Sequence, residues 1–161
     1  MQPISFQPIG IIHSDHLEPQ GTPIQFSGAK DARGEIEIFP EFQDGLIDLD
    51  GFSHLILIYY FHQIKNPALI VKPFMDDAEH GVFATRSPAR PNPIGFSIVK
   101  LNKIHGSRLY VQGLDIINET PLLDIKPYVP NFDHIEADRI GWLETNIHKH
   151  SITKDDGRFI K

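Results

Sequence analysis

Residues 81–97 read Gly81-Val-Phe-Ala-Thr-Arg-Ser-Pro-Ala-Arg-Pro-Asn-Pro-Ile-Gly-Phe-Ser97. Proline fixes φ and restricts the residue before it, so Pro88, Pro91 and Pro93 predict an ordered, non-helical loop that aims its polar side chains. Those side chains are Arg86, Ser87, Arg90 and Asn92. A guanidinium meets a carboxylate or phosphate through paired N–H donors. An Asn amide oxygen beside a proline-fixed carbonyl can accept the hydrogens of an exocyclic amine such as adenine N6 and turn its lone pair toward an electrophile. Without further context the segment also reads as a structural loop, and Asn-Pro is a common turn opening.

A second cluster spans 115–131, with Asp115, Asp124, Lys126 and Tyr128 on short strand-like pieces around Glu119-Thr-Pro. Asp124 and Lys126 stand two apart, so on a strand they share a face and can pair. His62 and Gln63 close the apolar run Leu55 to Phe61, a place for either a pocket residue or a satisfied core histidine. The nine histidines show no His-Glu-x-x-His spacing and no third ligand nearby, so no metal site is expected. The absence of cysteine excludes disulfides, thiolate metal sites and cysteine nucleophiles. No Gly-x-Ser-x-Gly elbow and no Gly-x-Gly-x-x-Gly or Gly-Lys-Ser/Thr phosphate loop is present.

The formal net charge of −6 argues against a globally basic nucleic-acid binder. It hides an asymmetry. From His80 to Leu114 there are five cations, Arg86, Arg90, Lys100, Lys103 and Arg108, and no acid, which leaves −11 for the rest of the chain. This separation predicts a positive face suited to a phosphate-bearing partner.

The elements that must carry these groups are short. At 161 residues the chain fits one domain, expected over 1–150, with a polar tail over 151–161 and no further C-terminal domain. Proline and glycine interrupt it every several residues, and the segments between are rich in Ile, Val, Leu, Phe and Tyr. Strands are predicted over Phe6 to His13, Gly34 to Phe39, His54 to Phe61, Ile94 to Ile104, Arg108 to Asp115 and Leu122 to Tyr128. His105-Gly-Ser joins the fourth and fifth as an antiparallel hairpin. Helix is predicted over Glu41 to Leu49, around Asp76 to His80, and over Arg139 to His148. The fold class expected is mainly β: a single barrel-like domain of antiparallel strands with a few short helices, not a Rossmann sheet. No basic leader and no apolar run of membrane-spanning length is seen, so a cytoplasmic protein without a membrane partner is the expectation.

Three motifs in order resemble the TrmO family, also called TsaA-like or YaeB-like. They are Phe52-Ser-His-Leu through Phe61-His-Gln, Gly81-Val-Phe-Ala-Thr-Arg-Ser-Pro with Arg90-Pro-Asn-Pro-Ile-Gly, and Leu123-Asp-Ile-Lys-Pro-Tyr-Val-Pro. The opening Pro8-Ile-Gly-Ile-Ile-His and the Gly34-Glu segment match the same pattern, so the resemblance runs from about Phe6 to Trp142. It implies a homodimeric β-barrel enzyme that uses S-adenosylmethionine to methylate N6 of threonylcarbamoylated adenosine beside the anticodon of tRNA. Carried over by motif position, the cofactor pocket involves Phe26, Ser27 and Gly28, His62 and Gln63, Arg86, Phe96, and Gln112, Gly113, Leu114 and Asp115. Arg90 and Lys100 are then expected to meet substrate, and Asn92, Lys126 and Tyr128 to act near the target base. Many members have Asp-Gly where this chain has Asn118-Glu119. Two alternatives stay open: methylation of another RNA position or a small molecule, and a non-catalytic barrel that binds RNA or senses the cofactor.

Overall fold

The computed structural model describes residues 2–149 and 152–160, with only the backbone described at Phe26. Six strands close into an antiparallel barrel in the order β1-β2-β7-β6-β3-β8. They are β1 (Gly10–Ser14), β2 (Arg33–Ile38), β3 (His54–Tyr60), β6 (Ile94–His105), β7 (Arg108–Gln112) and β8 (Thr120–Pro127). These are the six segments expected from apolar content. A separate two-stranded ribbon, β4 (Ile70–Val71) with β5 (His80–Gly81), lies outside the barrel and is too short to show in the sequence pattern.

Alternation decides what faces inward. Leu55, Leu57 and Tyr59 of β3, Val99 and Leu101 of β6, Leu109 and Val111 of β7, and Ile36 and Ile38 of β2 fill the barrel as buried residues. Their neighbours in sequence point out, as a period of two requires. The β6–β7 hairpin turns on Gly106-Ser107, with His105 opposite Arg108 and Gly106 at φ +60°. A bulge between Leu101 and Lys103 resets the register. Among the described residues no helix is long and apolar enough to cross a membrane.

The helix expectations are corrected. Pro40–Leu46 forms a 3₁₀ segment, as do Gly141–Thr145 and Ile147–Lys149, and the only α-helix among the described residues is the single turn Pro130–Asp133. Asp76 to His80 is a bend leading into β5, braced by Asp76 accepting from the His80 ring at 3.0 Å. Each of these segments is too short to sustain an α-helix against competing local turns. Residues 152–160, expected as part of a polar tail, bridge back onto the loop at Thr22 and Pro23, and the Phe159 ring meets Phe74 edge-on at 5.0 Å.

Two backbone positions have measurable consequences. Gly95 lies opposite Tyr59 in the β3–β6 ladder, and a Cβ there would fall within the Tyr59 ring. Glu119 holds a left-handed φ of +61°, a conformation that favours glycine. Gly95→Ala should therefore destabilise the protein by about 1–3 kcal/mol through overpacking. Glu119→Gly should raise stability by about 1 kcal/mol, relief of left-handed strain outweighing the added chain entropy. Denaturant midpoints read both, and shifts of equal sign would contradict one of the two backbone assignments.

Candidate functional site

A cleft of about 860 Å³ opens at the barrel end where β3 finishes and where β6 and β8 begin. Its floor is built from the core outward. Tyr59 points inward because Gly95 leaves room for its ring, and its hydroxyl lies 3.0 Å from Ser97 Oγ. Ser97 Oγ in turn donates to Asp115 Oδ1 at 2.6 Å. Because the serine proton is directed at the carboxylate, the tyrosine is the donor to serine. Gly113, at φ +87°, lets the chain leave β7 and swing Asp115 over the barrel, with the Gly113 N–H anchored on the Ala32 carbonyl at 2.8 Å.

The electrostatics follow from burial. Desolvation pushes the Asp115 carboxyl up to about 6, against the opposing pulls of the Ser97 hydrogen bond and the Arg86 charge. Burial first, then the Asp115 charge, hold the Tyr59 phenol well above its ordinary value, so it remains a proton donor. Among the described residues no cation forms an ion pair with Asp115. Arg86, the nearby cation, donates instead to Gln25 Oε1 at 2.8 Å and lies over the Phe96 ring at 5.8 Å.

His62 lines the same cleft, and burial lowers its pKa against the pull of Glu119. Thr120 Oγ1 donates to the Ile117 carbonyl at 2.7 Å, so toward His62 Nδ1, 3.4 Å away, it acts as acceptor. That arrangement favours the neutral tautomer with Nδ1 protonated and Nε2 as a lone-pair acceptor.

The proline-rich loop is ordered as expected, but its two arginines differ. Arg90 turns inward, its Nη1 donating to the carbonyls of Thr85 at 2.9 Å, Val82 at 3.2 Å and Ser87 at 3.4 Å. It fastens the loop while still lining the cleft. Asn92 is exposed just before β6; its backbone carbonyl accepts from Ile94 N, and the Pro93 carbonyl accepts from Phe61 N, each at 2.8 Å.

The structure gathers Ser27, His62, Gln63, Arg86, Arg90, Phe96 and Asp115 around the cleft. It does not gather the others. The Phe26 side chain lies outside the described residues, and Gly28 stands in the adjoining turn with its N–H on the Gln25 carbonyl. Leu114 is fully buried in the core, and Gln112 points out to donate to the Lys30 carbonyl at 3.0 Å.

Register places Lys126 opposite Ile56 and Tyr128 beside His54, at the far end of β3 and away from this cleft. Six residues of strand separate Lys126 from Thr120 at the cleft, about 20 Å. Lys126 does pair with Asp124, at 2.7 Å. The expected single positive face is also absent. Arg108 is neutralised by Glu35 and Glu37, Arg90 is turned in, and Lys100 and Lys103 stand farther along β6 with Lys103 over Tyr110. Among the described residues no group of three or more His, Asp or Glu could hold a metal.

Sequence reasoning missed Tyr59, Ser97, Gln25, Thr120 and Trp142. Ser97 had a signal, a polar residue at an inward position of an alternating strand. Gln25 and Trp142 had none, since only folding brings them to the loop at 83–90.

The family model for the tRNA-methyltransferase O N-terminal domain matches residues 11–134. A probable S-adenosyl-L-methionine-binding protein of Pyrococcus abyssi (strain GE5 / Orsay) is 58% identical over 156 residues, covering 97% of this chain and 85% of that protein. A tRNA (adenine(37)-N6)-methyltransferase of Rattus norvegicus is 38% identical over 134 residues, covering 79% of this chain but only 31% of that protein. The crystal structure of TrmO from Pseudomonas aeruginosa superposes with a TM-score of 0.72 at 38% identity, covering 88% of this chain and 63% of that one. The chain therefore spans most of the archaeal relative but under two thirds of the other two.

The raised Asp115 pKa has a signed consequence. Relative to an unfolded value near 3.8, the folded protein holds this proton more tightly, so the contribution to stability is full at low pH and is lost as pH rises through about 6. Above that, the ionised group costs the ligand-free protein at most about 3 kcal/mol. Asp115→Asn retains the Ser97 acceptor and removes the charge. Its melting temperature should match wild type near pH 4 and exceed it increasingly toward pH 7; a gap independent of pH would refute the assignment.

Proposed function

Because the chain belongs to the tRNA-methyltransferase O family, we propose that it is an S-adenosylmethionine-dependent methyltransferase acting on N6 of threonylcarbamoylated adenosine beside the tRNA anticodon. The observation that carries this reading is the pairing, in one cleft, of a buried carboxylate lacking a bonded cation with a guanidinium at its edge. A free amino acid end is a zwitterion, so it needs one acceptor for its ammonium and one bidentate donor for its carboxylate. Asp115 and Arg86 are such a pair, and a cleft of about 860 Å³ has room for a nucleoside beside them. The residues therefore fit the cofactor.

S-adenosylmethionine, when bound, supplies an electrophilic methyl group on a sulfonium. The chain's part is binding and orientation. Arg86 holds the methionine carboxylate and Asp115 the ammonium, while Phe96 and His62 line the space beside them. Asn92, two residues before the cleft-lining Ile94, would accept the N6 hydrogen and keep the nitrogen lone pair turned toward the donor. The proton can leave late, so no strong base is required. Lys126 and Tyr128 lie too far along β8 to serve the cleft of their own chain. In the homodimer we propose, they serve the cleft of the second copy. The reading also places the protein in the cytoplasm, with tRNA.

Support comes from the matched domain and from relatives named for the cofactor and for the tRNA reaction. Calorimetric titration should show S-adenosylmethionine binding that weakens in Arg86→Ala and as pH falls below about 6, where Asp115 takes up its proton. Asn92→Ala should bind the cofactor as wild type does and turn over roughly 10²-fold more slowly, the loss expected for one transition-state hydrogen bond. Nucleosides of tRNA from a strain without the gene should lack the N6-methylated threonylcarbamoyl form. Its persistence in mass spectra would sink the substrate assignment, and failure to bind the cofactor would sink the whole reading.

A further inference from the structure

The lining of the cleft has two origins. Every residue assigned above to the cofactor, Ser27, His62, Arg86, Phe96 and Asp115, falls within 11–134, the span matched by the family domain. Another part of the lining comes from beyond that span and, apart from Asp155, is apolar: Ile140, Trp142, Leu143, Ile147, Phe159 and Ile160. A methyl-transfer cleft must hold two partners. The portion not engaged with the donor is therefore the place to look for the acceptor.

Trp142 is the best-fixed group in this portion. Its indole Nε1 donates to the Ala84 carbonyl at 2.8 Å, so the ring's one polar atom is already satisfied. The His80 ring stacks on it with centroids 4.6 Å apart and planes inclined by 21°. His80 is itself held by Asp76, its Nε2 donating to Oδ2 at 3.0 Å. Two contacts, one of them braced in turn by Asp76, thus fix the plane of one half-buried ring that lines the cleft. Phe83, the residue before Ala84, is 76% exposed at the same cleft and has the Arg90 guanidinium 5.9 Å from its ring centre. Two aromatic rings lining one cleft, each braced by a planar group, offer apolar surface to a flat ligand. A nucleobase suits it, because its faces are apolar and aromatic while its polar edge stays free for groups such as Asn92.

We propose that Trp142, with Phe83 beside it, is the stacking platform that receives the acceptor base after it leaves its strand. This rests on the reading of the cleft as a site of methyl transfer to RNA. A base acted on at its exocyclic nitrogen must be unstacked from its neighbours, and an aromatic ring in the pocket replaces part of the stacking lost. His80 acts as a positioning residue through the indole.

Trp142 is the only tryptophan in the sequence, so its fluorescence reports this ring alone. An anticodon stem-loop RNA containing threonylcarbamoyladenosine should quench the emission. The same loop with an abasic site at that position should not, and S-adenosylmethionine alone should leave it nearly unchanged. Trp142→Ala should lower kcat/KM for the RNA by about ten- to a hundredfold, the range for losing one base–aromatic stack, with cofactor affinity unaltered. Trp142→Phe should recover most of the activity, and unchanged cofactor affinity shows that both variants are folded. Quenching by S-adenosylmethionine alone, with cofactor affinity lost in Trp142→Ala, would assign the ring to the donor and overturn the proposal. Unchanged kcat/KM in Trp142→Ala alongside an active wild type would overturn the platform alone. A wild-type protein that binds the cofactor but methylates no RNA would remove the acceptor reading and the platform with it.

Discussion

In a closed barrel of six strands the inward side chains share a small volume, and a tyrosine ring can enter only where its cross-strand partner yields space. Tyr59 enters opposite Gly95. From this contact the floor of the cleft follows in sequence. A buried phenol needs a hydrogen-bond partner, which is Ser97; the serine hydroxyl, also buried, directs its proton to Asp115. The carboxylate at the end of this chain, on the connection between β7 and β8, is anchored to the barrel by Ser97 of β6, which gives the charge a fixed position at the cleft.

The same chain explains why the ligand-free site is energetically unfavourable. Hydrogen bonding from Ser97 and the field of Arg86 only partly offset the desolvation of Asp115, and Arg86 forms its bond to Gln25 instead of closing an ion pair. A closed pair would stabilise the empty protein and leave nothing for a zwitterion to displace. The proline-rich loop divides its labour accordingly. Arg90 caps the loop's own carbonyls and makes it rigid, which leaves Arg86, four residues earlier, free to face the cleft. Two residues of one type in one short motif thus have different roles, set by which carbonyls lie within reach.

Charge along the chain proved a poor guide to charge in space. The acid-free stretch from His80 to Leu114 does contain the loop and much of the cleft, but antiparallel pairing sets Arg108 of β7 beside Glu35 and Glu37 on β2. Strand pairing mixes segments distant in sequence, so a block of like charge is diluted by its neighbours across the ladder. Register separates residues as readily as it joins them. Lys126 and Tyr128 follow Thr120 closely in sequence, yet the extended rise of β8 moves them from one end of the barrel toward the other.

The sequence by itself determined the six barrel strands, the non-helical character of the proline-rich loop, the family, and seven residues of the cleft, because alternation, proline geometry and motif spacing are local properties of the chain. Helix was expected over segments too short to propagate one, which form 3₁₀ turns or a bend instead. Tertiary structure alone decided that Gly95 admits Tyr59, that Ser97 links it to Asp115, that Arg90 serves the loop, and that Trp142 arrives beside Ala84 from 58 residues away. Each of these depends on cross-strand register or on where a returning segment docks. Those relations are fixed by packing many residues at once, and no local window of sequence contains them.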